Sequence, residues 1–303
     1  MRTIIPGEIA TKDLHQFILG SVAPRPIAFV STVDDKGQPN IAPYSFFNAF
    51  SSNPPVLVFS SNRRVADNTT KDTLHNVQLN QELVVNIVNY EIVQQMALAS
   101  ISYPSNIDEF KKSGLTPMPS DVVAPFRIKE SPVHYECKVS EIITLGKHGG
   151  AGHLIICKVL RVHLSESIID ENNRINPHKI DLVGRMGRAH YVRASGAAIF
   201  DVYQSVMKPA LGYDQMPGHI LKSTVLIGNE IAQLAGLYAF PKQADIDALV
   251  ASDEPLQKVL ANEDQLTASA CLEQLHLIVK EALRNGQAEK AFQIAMAFES
   301  INL

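Results

Sequence analysis

The chain has 303 residues, 46% of them hydrophobic and 19% charged, a composition that suits one large folded domain or two smaller ones rather than disorder. Its net charge of −4 gives no general attraction to nucleic acid or acidic membranes, so any anion site must be local. No apolar run approaches the ~18 residues of a membrane helix, and residues 1–8 lack the apolar core of a signal peptide, which makes a cytoplasmic protein the expectation. Cys137, Cys157 and Cys271 form no C-x-x-C pair, and the histidines show no metal-ligand spacing, so neither a disulfide framework nor a metal is expected.

In chain order, residues 26–33 are apolar and β-branched and predict a strand. It stops at Asp34-Asp35-Lys36-Gly37, a polar turn, and residues 38–44 form the return strand of a hairpin. Residues 44–48 put hydroxyl, aromatic and amide groups side by side on an extended segment. Residues 55–60 and 83–88 read as further strands. A helix over 71–79 follows the cap-type cluster Asp67-Asn68-Thr69-Thr70, and a second helix is expected over 91–100. Two longer strands, 133–145 and 153–164, flank a glycine-rich link at 146–152. Short strands without regular crossover helices favour an antiparallel barrel over a doubly wound sheet.

The composition changes near residue 195. Leu272, Leu275, Val279 and Ala282 recur at helical spacing, as do Ala288, Ala291, Phe292 and Ala295, while Pro209, Pro217-Gly218 and Pro241 break the stretch into several helices. A barrel domain over 1–196 and an α-helical extension over 197–303 are therefore expected.

Lys71, Asp72 and Thr73 fall in the first turn of the predicted helix, where unpaired N–H groups and the helix dipole favour an anion. A lysine and a hydroxyl there suit a phosphate, although a plain solvated helix start capped by Thr69 or Thr70 accounts for the same residues. Ser45, Phe46, Phe47 and Asn48 can line an aromatic cofactor, or supply core and turn contacts. His153 opens a strand directly after a glycine, as a ligand contact or as a strand-edge histidine. The chain shows no G-x-S-x-G, paired carboxylates, Cys–His signature or G-x-G-x-x-G fingerprint.

Several ordered motifs resemble the flavin reductase-like, FMN-binding split-barrel family. They are Pro24-Arg25-Pro26-Ile27-Ala28 running into Val30-Ser31-Thr32, and Asn40 followed by Ala42-Pro43-Tyr44-Ser45-Phe46-Phe47-Asn48. Ser60-Ser61-Asn62-Arg63 with Lys71-Asp72-Thr73, and Gly184-Arg185-Met186-Gly187-Arg188 with Tyr191, complete the set. The resemblance spans roughly residues 13–193 and implies a mainly β fold, an antiparallel split barrel of Greek-key type with peripheral helices. It implies FMN as cofactor, NADH or NADPH as electron donor, and a homodimer with flavin at the subunit interface. By the same resemblance Ser31, Thr32, Ser45, Phe46, Phe47 and Asn48 would contact the ring and ribityl chain. Ser60, Asn62, Arg63, Lys71 and Thr73 would hold the phosphate, and Arg185 and Tyr191 would approach from the late motif. His153 would help orient the nicotinamide. Arg188 stands where the family pattern often has glycine. The implied activity is an FMN-dependent NAD(P)H oxidoreductase passing electrons to an acceptor, a redox partner protein or an oxygenase among them. The alternative is a flavoredoxin-like FMN carrier without nicotinamide oxidase activity of its own.

Overall fold

A computed structural model describes residues 1–202, 208–261 and 267–298. The chain divides into two units, Met1–Phe200 and Asp201–Leu303, a boundary four residues beyond the compositional change read at 196.

In the first unit the elements run α1 (Thr11–Ser21), β1 (Ala28–Val33), β2 (Pro39–Tyr44), β3 (Phe47–Ser52), β4 (Pro55–Ser60), α2 (Asp72–Asn80), β5 (Glu82–Ile87), α3 (Val93–Ala99) and α4 (Glu109–Ser113). They continue with β6 (Pro117–Met118), β7 (Arg127–Ile128), β8 (Val133–Thr144), β9 (His153–Leu164), α5 (Pro177–Ile180), β10 (Val183–Gly187) and β11 (His190–Arg193). The β1–β2 hairpin forms where the polar turn predicts it. The Asp34 carboxylate accepts from the N–H of Lys36 (2.8 Å) and Gln38 (2.7 Å), and Gly37 takes the left-handed φ of 76°.

Seven strands form one sheet in the order β2-β1-β5-β8-β9-β4-β3, and every neighbouring pair is antiparallel. The two edge strands, β2 and β3, are joined by Ser45 and Phe46 alone. So short a link forces the sheet to curl until its edges lie side by side, giving a barrel that stays open along one seam. The chain is thus a split barrel, and the separation of β4 from β5 in the strand order is of the Greek-key kind.

Alternation along β1 builds two cores. Ala28 and Val30 face inward with Phe59, Leu83, Val85, Ile155 and Cys157, while Ile27 and Phe29 face outward and pack with Met96 of α3 and Phe110 of α4. Burial pushes the Cys137 thiol up to about 12 and raises that of Cys157 well above its usual value, so both behave as inert core residues.

Three features differ from the sequence reading. Helix α2 begins at Asp72 with Lys71 as its N-cap residue, and no side chain caps it. Thr69 instead bonds Asp67 and Thr70 bonds His75, so the cap-type cluster closes a local turn. Strand β3 continues the extended segment along an edge, exposed from Asn48 to Ser52, and therefore lacks the apolar run of a buried strand. Helix α1 buries none of its residues.

The second unit is helical: α6 (Gly218–Leu221), α7 (Gly228–Ala235), α8 (Gln243–Ser252), α9 (Glu254–Ala261), α10 (Ala268–Arg284) and α11 (Ala288–Ala297). Leu275, Val279 and Ala282 of α10 and Ala291, Phe292 and Ala295 of α11 lie in a core of its own with Leu234 and Leu256. Leu272 is only partly buried against it. Gly286, at φ 71°, follows the end of α10 and lets the chain turn into α11. Among the described residues, no helix is long and apolar enough to cross a membrane.

Candidate functional site

The end of β4 is stitched to the glycine-rich loop. Ser60 N–H donates to Phe46 C=O (2.8 Å), the Ser60 hydroxyl donates to Asn62 Oδ1 (2.6 Å), and the Asn62 amide donates to Gly150 C=O (3.3 Å). Ser61 and His153 exchange backbone hydrogen bonds of 3.1 and 3.2 Å. The approach is so close that a Cβ on Gly152 would sit 2.5 Å from Ser60 Oγ, so any larger residue there would displace the Ser60 hydroxyl. His153 Nδ1 donates to Ser61 C=O at 3.0 Å; since a carbonyl only accepts, Nδ1 carries the proton and Nε2 remains the ring's other polar atom. His148 is exposed in the loop.

Beside this frame lies the start of α2. Lys71 Nζ stands 4.7 Å from the centroid of the Tyr44 ring, and burial, aided by nearby Arg64, pushes its pKa down. Thr73 Oγ1 accepts from the Asn40 amide (3.0 Å). The Tyr44 hydroxyl is buried near the hydroxyls of Thr73 and Ser61, and burial raises its pKa to about 12. Neither it nor Ser61 Oγ makes a hydrogen bond of standard geometry, so both are polar groups awaiting a partner. Arg64 Nη1 donates to Thr69 Oγ1 (2.9 Å) and Thr70 C=O (2.8 Å), and Arg63 Nη1 to Asn68 C=O (2.7 Å), while Arg63 Nε has no partner.

At the seam, Arg25 is buried with its Nε 3.4 Å from Ser45 Oγ and its guanidinium 5.9 Å from the centre of the Phe46 ring. Its Nη1 is spent on Leu19 and Val22 carbonyls, and its Nη2 has no partner. Backbone bonds of 3.0 and 2.9 Å tie Arg25 to Arg185, whose guanidinium stacks 4.5 Å from the Tyr191 ring. Burial first, and the Arg185 charge second, lower the Arg25 pKa. Among the described residues, none of Arg25, Arg63, Arg64, Lys71 and Arg185 forms a salt bridge. Cations held out of water without a carboxylate are costly unless an anion completes them.

The structure therefore gathers Ser60, Asn62, Arg63, Lys71 and Thr73 at the α2 end, Ser45 and Phe46 at the seam, and Arg185 with Tyr191 across from Arg25. Phe47 is half-buried beside them and Asn48 is exposed, its Oδ1 accepting from Ala49 N–H (2.8 Å). Ser31 and Thr32 are not brought together, because adjacent strand residues face opposite ways. Thr32 is buried beside the site, accepting from the Asn40 and Asn76 amides at 3.1 and 3.0 Å. Ser31 is fully buried on the outer side of β1 and donates to the Phe126 carbonyl, so its side chain is shut off from the site. Arg188 adopts φ 48°, a left-handed conformation that accounts for glycine in the family pattern at that position. Arg25, Tyr44, Ser61 and Arg64 are the additions. They stand inside or beside the motifs, but only their unpartnered atoms and missing counter-ions single them out.

The free donors, the cations without carboxylates and the aromatic seam fit a ligand with an anionic end and a flat ring. A match to the "Flavin reductase like domain" covers residues 19–179, more than half of the chain, and ends before Arg185 and Tyr191. An uncharacterized protein of Aquifex aeolicus is 41% identical over 183 residues, which are 60% of this chain and 91% of that one. Nitrilotriacetate monooxygenase component B from Bacillus cereus is 30% identical with a TM-score of 0.61, over 68% of this chain and 98% of that one. The 2-nitrobenzoate 2-nitroreductase NbaA of Pseudomonas fluorescens is 29% identical with a TM-score of 0.60, over 70% of this chain and 100% of that one. The match falls within the barrel unit, and the chain belongs to the flavin reductase-like family.

Proposed function

We propose that this protein binds FMN at the seam and transfers hydride to it from NADH or NADPH. The observation that carries the proposal is a set of cations without carboxylate partners among the described residues, the buried Arg25 and the half-buried Arg63, Arg64 and Lys71, beside the buried Tyr44 and Ser61 hydroxyls. Lys71, Arg63 and Thr73 would hold the phosphate, with Arg64 adding charge behind Lys71. Ser45, Phe46 and Arg25 would border the ring, and Ser60 and Asn62 would fix the loop that carries His153. FMN supplies the electron-accepting ring. The chain's own residues bind, orient and exclude water, and His153, with its Nδ1 proton committed to Ser61, offers Nε2 to a nicotinamide amide.

A second copy of the chain would complete the site. In support, β3 is an edge strand that exposes Asn48 and leaves Phe50 67% exposed next to the seam. An electron acceptor in the form of a partner protein or oxygenase fits the component naming of the Bacillus cereus relative.

The test is steady-state oxidation of NADH and of NADPH by the purified protein with FMN, alongside its absorption spectrum. Turnover with either nucleotide is expected; a flavin-free protein that turns over neither sinks the proposal. A yellow protein reduced only by another protein would instead establish the carrier.

A further inference from the structure

One cleft of the barrel unit lies away from the seam. It opens at the opposite end of β9 from His153, where His163 ends the strand next to His134 of β8, and its volume is about 440 Å³. A dozen-residue strand separates the two places by on the order of 30 Å along its axis. A volume of this size is that of a small-ligand pocket.

Two histidines define its inner wall. His134 is buried and its Nε2 lies 2.8 Å from the Ile128 carbonyl, which can only accept. Nε2 therefore carries the proton and Nδ1 is a bare acceptor, and that atom has no hydrogen-bond partner. Burial above all holds the ring neutral, its pKa pushed down. The second histidine, His163, is fixed by a 2.7 Å contact to Glu136, a fully buried carboxylate that also accepts from the N–H groups of Asp121 (2.9 Å) and Val122 (2.7 Å). Asp121, Glu136 and His163 have ligand atoms within 4.8 Å of one another, but Arg161 (2.7 Å from Asp121) and Arg127 already balance their charge, which leaves no demand for a cation.

The rim carries two lysines, Lys129 and Lys179, and two carboxylates, Glu91 and Glu130, while Arg127 is turned to Asp121 and Glu136; the Glu130 carboxylate is engaged by Thr116 N–H at 3.1 and 3.2 Å. Lys129 is exposed and forms no ion pair among the described residues. A bare acceptor at the back and two lysine ammoniums without ion pairs among the described residues at the mouth suit a ligand that carries both a donor and an anion.

We propose that this cleft is a second binding site, separate from the flavin seam, for a small carboxylate or phosphate that also carries a hydroxyl. The anionic group meets Lys129 and Lys179, and the hydroxyl donates to His134 Nδ1.

The test titrates the full chain by calorimetry with two matched pairs, glycerol 3-phosphate against propyl phosphate and malate against succinate. Each pair keeps the charge and removes hydroxyl. At least one hydroxylated member is expected to bind saturably, one per chain, and about tenfold more tightly than its counterpart, the ratio that one hydrogen bond to a buried acceptor supplies. The His134 ring nitrogen resonance should move on binding. His134→Phe should abolish the difference within that pair, and Lys129→Gln should weaken the bound members several-fold, with the FMN affinity of both variants unchanged. Equal affinities within both pairs, or no saturable binding by any of the four at millimolar concentration, overturn the proposal. Should His134→Phe fail to fold, the exposed Lys129→Gln decides it, and unchanged affinity in that variant is a refutation.

Discussion

The two units are stabilised by different means, and the difference locates the chemistry. Among the described residues, every buried polar or charged side chain except His276 lies in the barrel unit, including Arg25, Ser61, Thr73, Glu109, His134 and His153. The helical unit is almost pure apolar packing around Leu275, Val279 and Phe292. Polar groups taken from water cost stability unless paired. The barrel carries that cost at Arg25, Arg63, Tyr44 and Ser61, where a ligand can offset it, and the helical unit confines it to His276.

The sharpest way to break this comparison is to damage the packed unit alone. Phe292→Ala, at a side chain 1% exposed in the helical core, should cost that unit about 3–5 kcal/mol. Denaturant unfolding should show the helical transition displaced, while FMN titration of the same variant is unchanged. A parallel loss of FMN affinity would mean that the seam depends on the helices.

His276 is the exception to the apolar rule and gives the next largest effect. It is stacked on His219 (5.6 Å between centroids) with Nδ1 2.8 Å from Ser223 Oγ, and burial foremost, then the His219 charge, lowers its pKa from 6.5 to about 4. Between those values the unfolded chain takes up a proton that the folded chain refuses. Stability is therefore whole above pH 6.5 and falls as pH drops toward 4, by on the order of 3 kcal/mol in total. Hydrogen exchange of α10 at pH 7 and pH 5 reads this directly, and His276→Gln should flatten the difference. An exchange rate in α10 that keeps the same opening free energy at both pH values contradicts the buried neutral ring.

At the seam, Lys71→Ala should weaken FMN by about 1–3 kcal/mol, the worth of one charge-assisted hydrogen bond, and leave riboflavin binding unaltered. Because burial lowers the Lys71 pKa, FMN affinity should also decline as pH rises from neutral toward the ordinary lysine value of 10.5, more steeply than riboflavin affinity. The alanine variant should lose that extra slope. Equal slopes for the two flavins in the parent protein would remove Lys71 from the phosphate.

How much of this was legible in the sequence depends on what each feature exposes. Strands β4 and β9 were readable to the residue, because buried strands need continuous or alternating apolar runs. Strand β3 was not, since an edge strand with Asn48, Ala49, Phe50 and Ser51 in solvent has no such pattern; helix α1 carries Leu14, Phe17 and Ile18 at helical spacing yet buries none of them. Lys71 and Thr73 could be placed because a helix start is a local signal. Arg25 and Tyr44 could not be assigned roles, since a missing partner is a property of three dimensions. Ser31 is instructive in the other direction. The period of a strand already forbids Ser31 and Thr32 from facing the same ligand with their side chains, and the family motif alone hides that.

The smallest effect contrasts the two helix starts. Helix α10 opens on Thr267, whose hydroxyl accepts from Ala270 N–H at 3.3 Å, whereas α2 opens on Lys71 with no side-chain cap. Thr267→Ala should destabilise the helical unit by about 1 kcal/mol and leave flavin binding alone. Lys71→Ser does the reverse. It supplies α2 with the missing cap and removes a desolvated charge, so the barrel should gain up to about 1 kcal/mol while FMN affinity falls. Thermal melts of both variants without flavin, set against FMN titrations, separate the two helices. If Lys71→Ser stabilises nothing, the start of α2 is not a place where the fold gives up stability for a ligand, and the contrast between the two units loses its clearest example.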